Sequence, residues 1–305
     1  MTPNNRDALE LAPYLDEPPQ LASGSTGKNG RLALRYERRN DRSILASSER
    51  NAPLLVQKAL YCDEGMPGLP VVFIISNSGG ILQGDRYHIR VEVGPHACGH
   101  LTTQAATKIH EMDANYAAQT QEIVLEEGSY FEFIPDQVIP FRHSRFLTRT
   151  NIQIDPTATL FYAETLVGGR KFYQEGEMFQ FDLFSSSVKA ERLDGSELFV
   201  EKFLIEPFAQ SVQQRGVMQD FDVFGNVLLL TPQKVMDTLM PQLVPDYNTK
   251  TMLASGGSRL PNNAGILFKV LGNSTEAVIK RIREFWGLAR LAVTGFQVPP
   301  PFPWR

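Results

Sequence analysis

The chain has 305 residues, 42% of them hydrophobic, which is enough for a sizeable core and within the length of one large all-β domain. Lys and Arg total 30 against 34 Asp and Glu, a net charge of −4, so there is no basic excess to neutralise phosphates and composition argues against a nucleic-acid partner. Two cysteines, Cys62 and Cys98, are too few for a disulfide framework, and no apolar run approaches the roughly 20 residues of a membrane helix; the expectation is a cytoplasmic protein with reduced thiols.

Residues 1–24 carry Pro3, Pro13, Pro18 and Pro19 among polar and acidic residues, with no apolar core for a secretory signal. They read as a flexible arm or a segment that orders against a partner. From Gly30 the pattern has period two: Leu32, Leu34 and Tyr36 alternate with Ala33, Arg35 and Glu37, as in a half-buried strand. Further strands are predicted at 54–61, 71–76 and 87–93. Segments 120–126 and 129–134 flank Glu127-Gly128, a hairpin-like turn. The series continues with a long strand to Ile154, ended by Asp155-Pro156, and with 159–165, 178–185, 188–193 and 198–205.

Two helices follow. In the first, Thr231 can cap and Pro232 suits the first helical position, with Pro241 as the stop. In the second, Asn273 and Glu276 resemble a capping box, and Val278, Ile282, Phe285 and Ala289 share one face with Ile279 and Trp286 beside it. The tail, Pro299 to Arg305, cannot be helical; Phe302 and Trp304 in it are candidate anchors. The fold is therefore expected to be mainly β: residues 25–305 as one large domain of stacked or two-layered sheets, with about two α-helices in its C-terminal part. No fixed period recurs, so a regular solenoid is not expected.

The glycine-punctuated turn Gly79-Gly80-Ile81-Leu82-Gln83-Gly84-Asp85 is not a phosphate loop. Its spacing is wrong, no Lys-Ser/Thr follows Gly84, and the next residues alternate as a strand. The glycines read as a tight structural turn. Asp85 must be exposed, capped or paired, with Arg86 and Lys108 as possible partners. His96, Cys98 and His100 stand at alternate positions and are weak metal candidates, since Pro95 and Gly99 suggest a turn that breaks a common face. There is no Gly-x-Ser-x-Gly elbow, and no catalytic residue is assigned. Asp85, Asp136 and Glu164 are carboxylates that a glycosidase-like reading would need to converge.

The ordered set of motifs is more specific than any part. Ala52-Pro53-Leu54, Ser78-Gly79-Gly80 with Gly84-Asp85, Thr103-Gln104 with Thr107-Lys108, and Glu132 with Pro135-Asp136 stand in the first half. Glu164 with Gly168 and Arg170, Gly265-Ile266-Leu267, and Trp286 with Arg290 follow. In this order they resemble the UreD (UreH) family of urease accessory proteins over nearly all of the chain after residue 30. The resemblance implies a mostly β, non-enzymatic maturation factor. Its implied partners are the urease apoprotein, a UreF-like accessory protein and, through it, a UreG-like GTPase that brings nickel. No cofactor is implied to be tightly bound; Ni²⁺ is implied in transit, along an internal polar path. Asp85, Thr103, Gln104, Lys108, Asp136, Glu164 and Arg170 are carried over as candidates for that polar interior. The competing class is a stand-alone all-β metal-binding protein or carboxylate-based enzyme.

Overall fold

The computed structural model describes residues 8–15, 28–214 and 216–301. Their strands form two packed sheets, one of seven strands and one of eleven. The elements in order are β1 (Asn29–Arg39), β2 (Arg42–Asn51), β3 (Leu54–Val56), β4 (Val71–Ser76), β5 (Arg86–Val93), β6 (Cys98–Thr103) and β7 (Thr107–Ile109). Then come β8 (Ala117–Leu125), β9 (Tyr130–Phe133), β10 (Val138–Pro140), β11 (Arg145–Ile154), β12 (Thr159–Val167), β13 (Leu183–Glu191), β14 (Glu197–Ile205) and β15 (Val223–Leu230). The last part holds α1 (Gln233–Leu239), β16 (Asp246–Asn248), β17 (Leu253–Arg259), β18 (Gly265–Gly272) and α2 (Thr275–Thr294).

Between β4 and β13 the chain coils, alternating between the sheets. β5, β8, β11 and β13 run parallel in the smaller sheet, and β4, β6, β9 and β12 run parallel in the larger. Register positions Val71, His100, Glu132 and Phe161 follow one another across the larger sheet, at spacings of 29, 32 and 29 residues. The coil is thus nearly regular in space. It leaves no sequence period because equivalent positions hold a valine, a histidine, a glutamate and a phenylalanine.

The interlayer core joins Leu34, Val91, Ile123 and Ile152 of the smaller sheet to Leu101, Phe131 and Leu160 of the larger. The outer face of the larger sheet is covered by α2, whose Val278, Ile282, Phe285 and Trp286 pack on Phe161, Val227 and Phe268. Burial on both faces explains why every residue of β9 is buried. Ala8–Leu15, within the segment predicted as an arm, includes a 3-10 helix at Leu9–Tyr14, and Leu11 is buried against Tyr116, Leu147 and Leu183. The rest of residues 1–24, together with Phe302 and Trp304, lies outside the described residues.

Several predicted elements change. Glu127-Gly128 joins no hairpin: β8 belongs to the smaller sheet and β9 to the larger, so the turn crosses between layers. Segments 178–185 and 188–193 give way to the single strand β13, and β3 ends at Val56. Thr231 does not cap α1; its hydroxyl meets Thr159 Oγ1 at 3.0 Å. α2 is capped by Ser274, whose Oγ accepts from Ala277 N, while Asn273 Oδ1 accepts from Asp222 N. Ile279 faces outward at 38% exposure.

Candidate functional site

At one end of the coil the larger-sheet strands finish and the chain crosses to begin the smaller-sheet strands. A cavity of about 340 Å³ lies between the layers there. The crossings after β4, β6 and β9 form its rim, with Gly79, Gly80, Gln104, Lys108 and Asp136. Its interior is walled by Gln121, Thr148, Tyr162 and Glu164, and by the aromatic rings of Phe184, Phe203 and Phe224. Its volume has room for on the order of ten water molecules.

Thr103, Gln104, Lys108, Asp136 and Glu164, predicted from dispersed motifs, therefore share one cavity. Thr103 Oγ1 accepts from Asp136 N at 2.9 Å, tying two rim segments together. Gln104 and Lys108 are exposed at the rim.

Asp85 and Arg170 do not line the cavity. Asp85 is 1% exposed and accepts from Lys28 N at 2.8 Å, Leu82 N at 2.9 Å and Tyr87 Oη at 2.7 Å. Neither expected cation pairs with its carboxylate; Arg86 instead donates to the Asp85 carbonyl at 3.0 Å. Asp85 clamps the turn behind the cavity and touches it only through Tyr87, which is a wall residue. Arg170 makes a bidentate pair with Glu177 at 2.6 and 2.7 Å and lies between the Phe141 and Tyr173 rings, holding the loop that follows β12.

The turn glycines act as expected of a tight turn. Gly79 and Gly84 have φ of 74° and 77°, and a Cβ on Gly80 would stand 2.7 Å from the Lys108 carbonyl oxygen and from the His110 ring. This close approach lets Ile81 bridge to Ile109 beside β7 and so shapes the rim.

Glu164 is the acidic centre of the cavity. Its Oε1 accepts from Tyr162 Oη at 3.0 Å and from Ser186 Oγ at 3.1 Å, the second bond crossing between sheets. Burial pushes the carboxyl up to about 7; the hydrogen bonds from Tyr162 and Ser186 oppose that rise without cancelling it. Gln121 Oε1 and Thr148 Oγ1 are buried without a protein hydrogen-bond partner. Gln121, Thr148, Tyr162 and Ser186 were not predicted. Gln121 and Thr148 carried a signal: they sit in the inward phase of their strands, alternating with the same register as Ile123 and Ile152, where a polar residue is out of place in a dry core.

The three metal candidates separate. His96 occupies an exposed turn with φ of 54°, Cys98 donates to Ser43 Oγ at 3.3 Å, and buried His100 bonds Glu132 through Nδ1 at 2.7 Å. Among the described residues no group of three or more His, Cys, Asp or Glu is placed to hold a metal ion.

The family model described as UreD urease accessory protein matches residues 28–305. A urease accessory protein UreD of Photorhabdus laumondii is 52% identical over 299 residues, covering 98% of this chain and 93% of its own. A urease accessory protein UreD 2 of Brucella suis is 53% identical over 297 residues, covering 97% of this chain and 98% of its own. The protein of that kind from Yersinia pseudotuberculosis is 52% identical over 299 residues, with 98% and 93% covered. The chain belongs to the UreD family.

In this UreD-family chain the late motif residues also find a place. Trp286 Nε1 donates to Glu132 Oε1 at 2.7 Å, and Arg290 joins the same carboxylate and reaches Asp63. Together with His100 they form a buried polar knot where α2 meets β6 and β9. It lies apart from the cavity and fastens the helical layer to the sheets.

Proposed function

We propose that this chain acts in the cytoplasm as a non-enzymatic urease maturation factor. It binds urease apoprotein and a UreF-like partner, through which a UreG-like GTPase supplies nickel, and Ni²⁺ passes through its interlayer cavity. Support for the maturation role comes from relatives that carry the name urease accessory protein at 52–53% identity over nearly the whole chain. Among the described residues no helix is long and apolar enough to cross a membrane.

The observation that carries the transit reading is the oxygen-rich interior around Glu164. Carboxylate, hydroxyl and amide oxygens bind a borderline divalent ion less firmly than imidazole and thiolate do, which favours passage over storage. A carboxyl held near 7 adds a release mechanism, because a proton competes with the cation at cellular pH. Much of the remaining wall is aromatic or aliphatic and offers no ligand, so the ion keeps most of its water.

The test is nickel content of urease co-expressed with the accessory proteins. Glu164→Ala and Asp136→Ala are expected to lower nickel per active site while the accessory complex is recovered intact. Full nickel loading in both variants would refute the transit role, and loss of the complex would assign these residues to structure instead.

A further inference from the structure

The outer face of the smaller sheet is charged over β1, β5 and β8, where Arg35, Glu92, Arg90 and Glu122 pair in a ladder. Towards β11, β13 and β14 it changes character. Ala118, Leu147 and Leu183, with Tyr116, form an apolar socket there, and Leu11 of the segment Ala8–Leu15 fills it at 0% exposure. Side chains around the socket hold that segment at two more points. Glu10 Oε1 accepts from Ser185 Oγ at 2.7 Å and pairs with Lys202 Nζ at 2.7 Å, which leaves the Glu10 side chain 6% exposed. Arg145, held by Asp182 at 2.8 Å, lies 4.6 Å from the Tyr14 ring centroid. The site thus takes a carboxylate, the leucine after it and an aromatic ring three residues further on. Its apolar cluster is separate from both cores, and residues 16–27 tether the segment to Lys28. The segment does not cover the whole apolar face: Leu204, in register with Ser185, and Val200 stand on the same face of β14 as Lys202, at 43% and 59% exposure.

We propose that this socket is a docking site for a protein partner carrying the same pattern, an acidic residue followed by leucine with an aromatic three residues later, and that Ala8–Leu15 is the chain's own competitor for it. One buried leucine and an ion pair whose lysine is 46% exposed make a reversible hold. The partner is favoured over a second copy of the chain. A tethered segment meets its own socket at an effective concentration of the order of mM, above that at which two copies meet. A partner already held elsewhere on the chain competes on equal terms. Val200 and Leu204, which the chain's own segment leaves exposed, then give the partner the added apolar contact that decides the exchange.

The test uses the full-length chain and a fluorescein-labelled peptide of residues 6–17, followed by anisotropy. The wild-type chain, with its socket occupied, should bind the peptide weakly. Leu11→Asp, which withdraws the chain's own leucine, should bind it at least about tenfold tighter. Adding Lys202→Glu should weaken that binding roughly fivefold, and a peptide with Glu10→Lys should recover it. If Leu11→Asp does not fold, Glu10→Lys in the chain releases the segment by charge repulsion from Lys202 and takes its place. Equal binding by the wild-type and released chains, or no response to the charge exchange, would overturn the site. Displacement is read separately: in a Cys62→Ser background, a spin label on Leu9→Cys should become mobile as unlabelled peptide is added. A label that stays immobile would make the segment a fixed part of the fold and overturn its role as competitor. Sedimentation decides the occupant. A monomer at micromolar concentration supports a partner, whereas a dimer that Leu11→Asp dissociates would assign the socket to the segment of a second copy and overturn the partner.

Discussion

Arg290 on α2 grips Glu132 on β9 across 158 residues, donating from Nε at 2.8 Å and from Nη2 at 2.9 Å. The two side chains are 1% and 0% exposed. Burial alone raises the Glu132 carboxyl, but hydrogen bonds from His100 and Arg290 outweigh it and hold the group at about 2. The pair is the electrostatic rivet of the helical layer, in a protein whose other interlayer contacts are largely apolar.

Removing one partner of a buried ion pair leaves an uncompensated charge. Arg290→Ala is expected to destabilise the fold by about 3–5 kcal/mol, measured by urea unfolding at neutral pH. A loss within experimental error of zero would show that water reaches Glu132 and that the rivet is dispensable. Because the Glu132 carboxyl is lowered from 4.5 to about 2, its contribution is complete above pH 4.5 and disappears as pH falls towards 2.

Glu164 has the opposite sign. Its folded carboxyl is raised from 4.5 to about 7, so the folded state holds a proton that the unfolded chain releases. Stability should therefore fall as pH rises from 4.5 through 7, by up to about 3 kcal/mol, and level off above. Glu164→Gln, which stays neutral, should remove that slope. Urea midpoints taken from pH 5 to pH 8 check this; parallel curves for the two proteins would mean that Glu164 ionises normally.

Asp85 answers to three donors, two of them backbone N–H groups. Asp85→Ala strands these groups, and a loss of about 2 kcal/mol or more is expected. Its effect on nickel loading should follow the amount of folded protein recovered. Reduced loading at unchanged stability would return Asp85 to the transit machinery.

Most phenylalanines between 172 and 224 are core or cavity wall, but Phe172 and Phe208 are 93% and 66% exposed. The double variant Phe172→Ser/Phe208→Ser should leave unfolding free energy within about 0.5 kcal/mol. It should also raise the solubility of the isolated chain. A marked loss of stability would show that these rings pack in the free protein.

The sequence by itself determined the fold class; of the candidate site residues it named, Thr103, Gln104, Lys108, Asp136 and Glu164 share the cavity, whereas Asp85 and Arg170 lie outside it. Period-two alternation in Leu32–Tyr36, in 87–93 and in 146–154 specifies strands because a half-buried strand must alternate, whatever it packs against. The glycines at 79, 80 and 84 were legible as a turn because glycine takes positive φ without a Cβ penalty, and at Gly80 a Cβ would also strike the Lys108 carbonyl. Which strands pair was not legible. Glu127-Gly128 looks like a hairpin turn, since a tight turn between two apolar strands has one local signature whether it closes a hairpin or crosses to another layer. Equivalent turns of the coil carry Val71, His100, Glu132 and Phe161, so no repeat betrays it. The roles within the candidate site were likewise tertiary. Asp85 and Glu164 are both acidic residues in or beside strands. One accepts hydrogen bonds from Lys28 N, Leu82 N and Tyr87 Oη, whereas the other faces the cavity between the two sheets. Burial and hydrogen bonding set what a carboxylate does, and both depend on neighbours that lie tens of residues away in the chain.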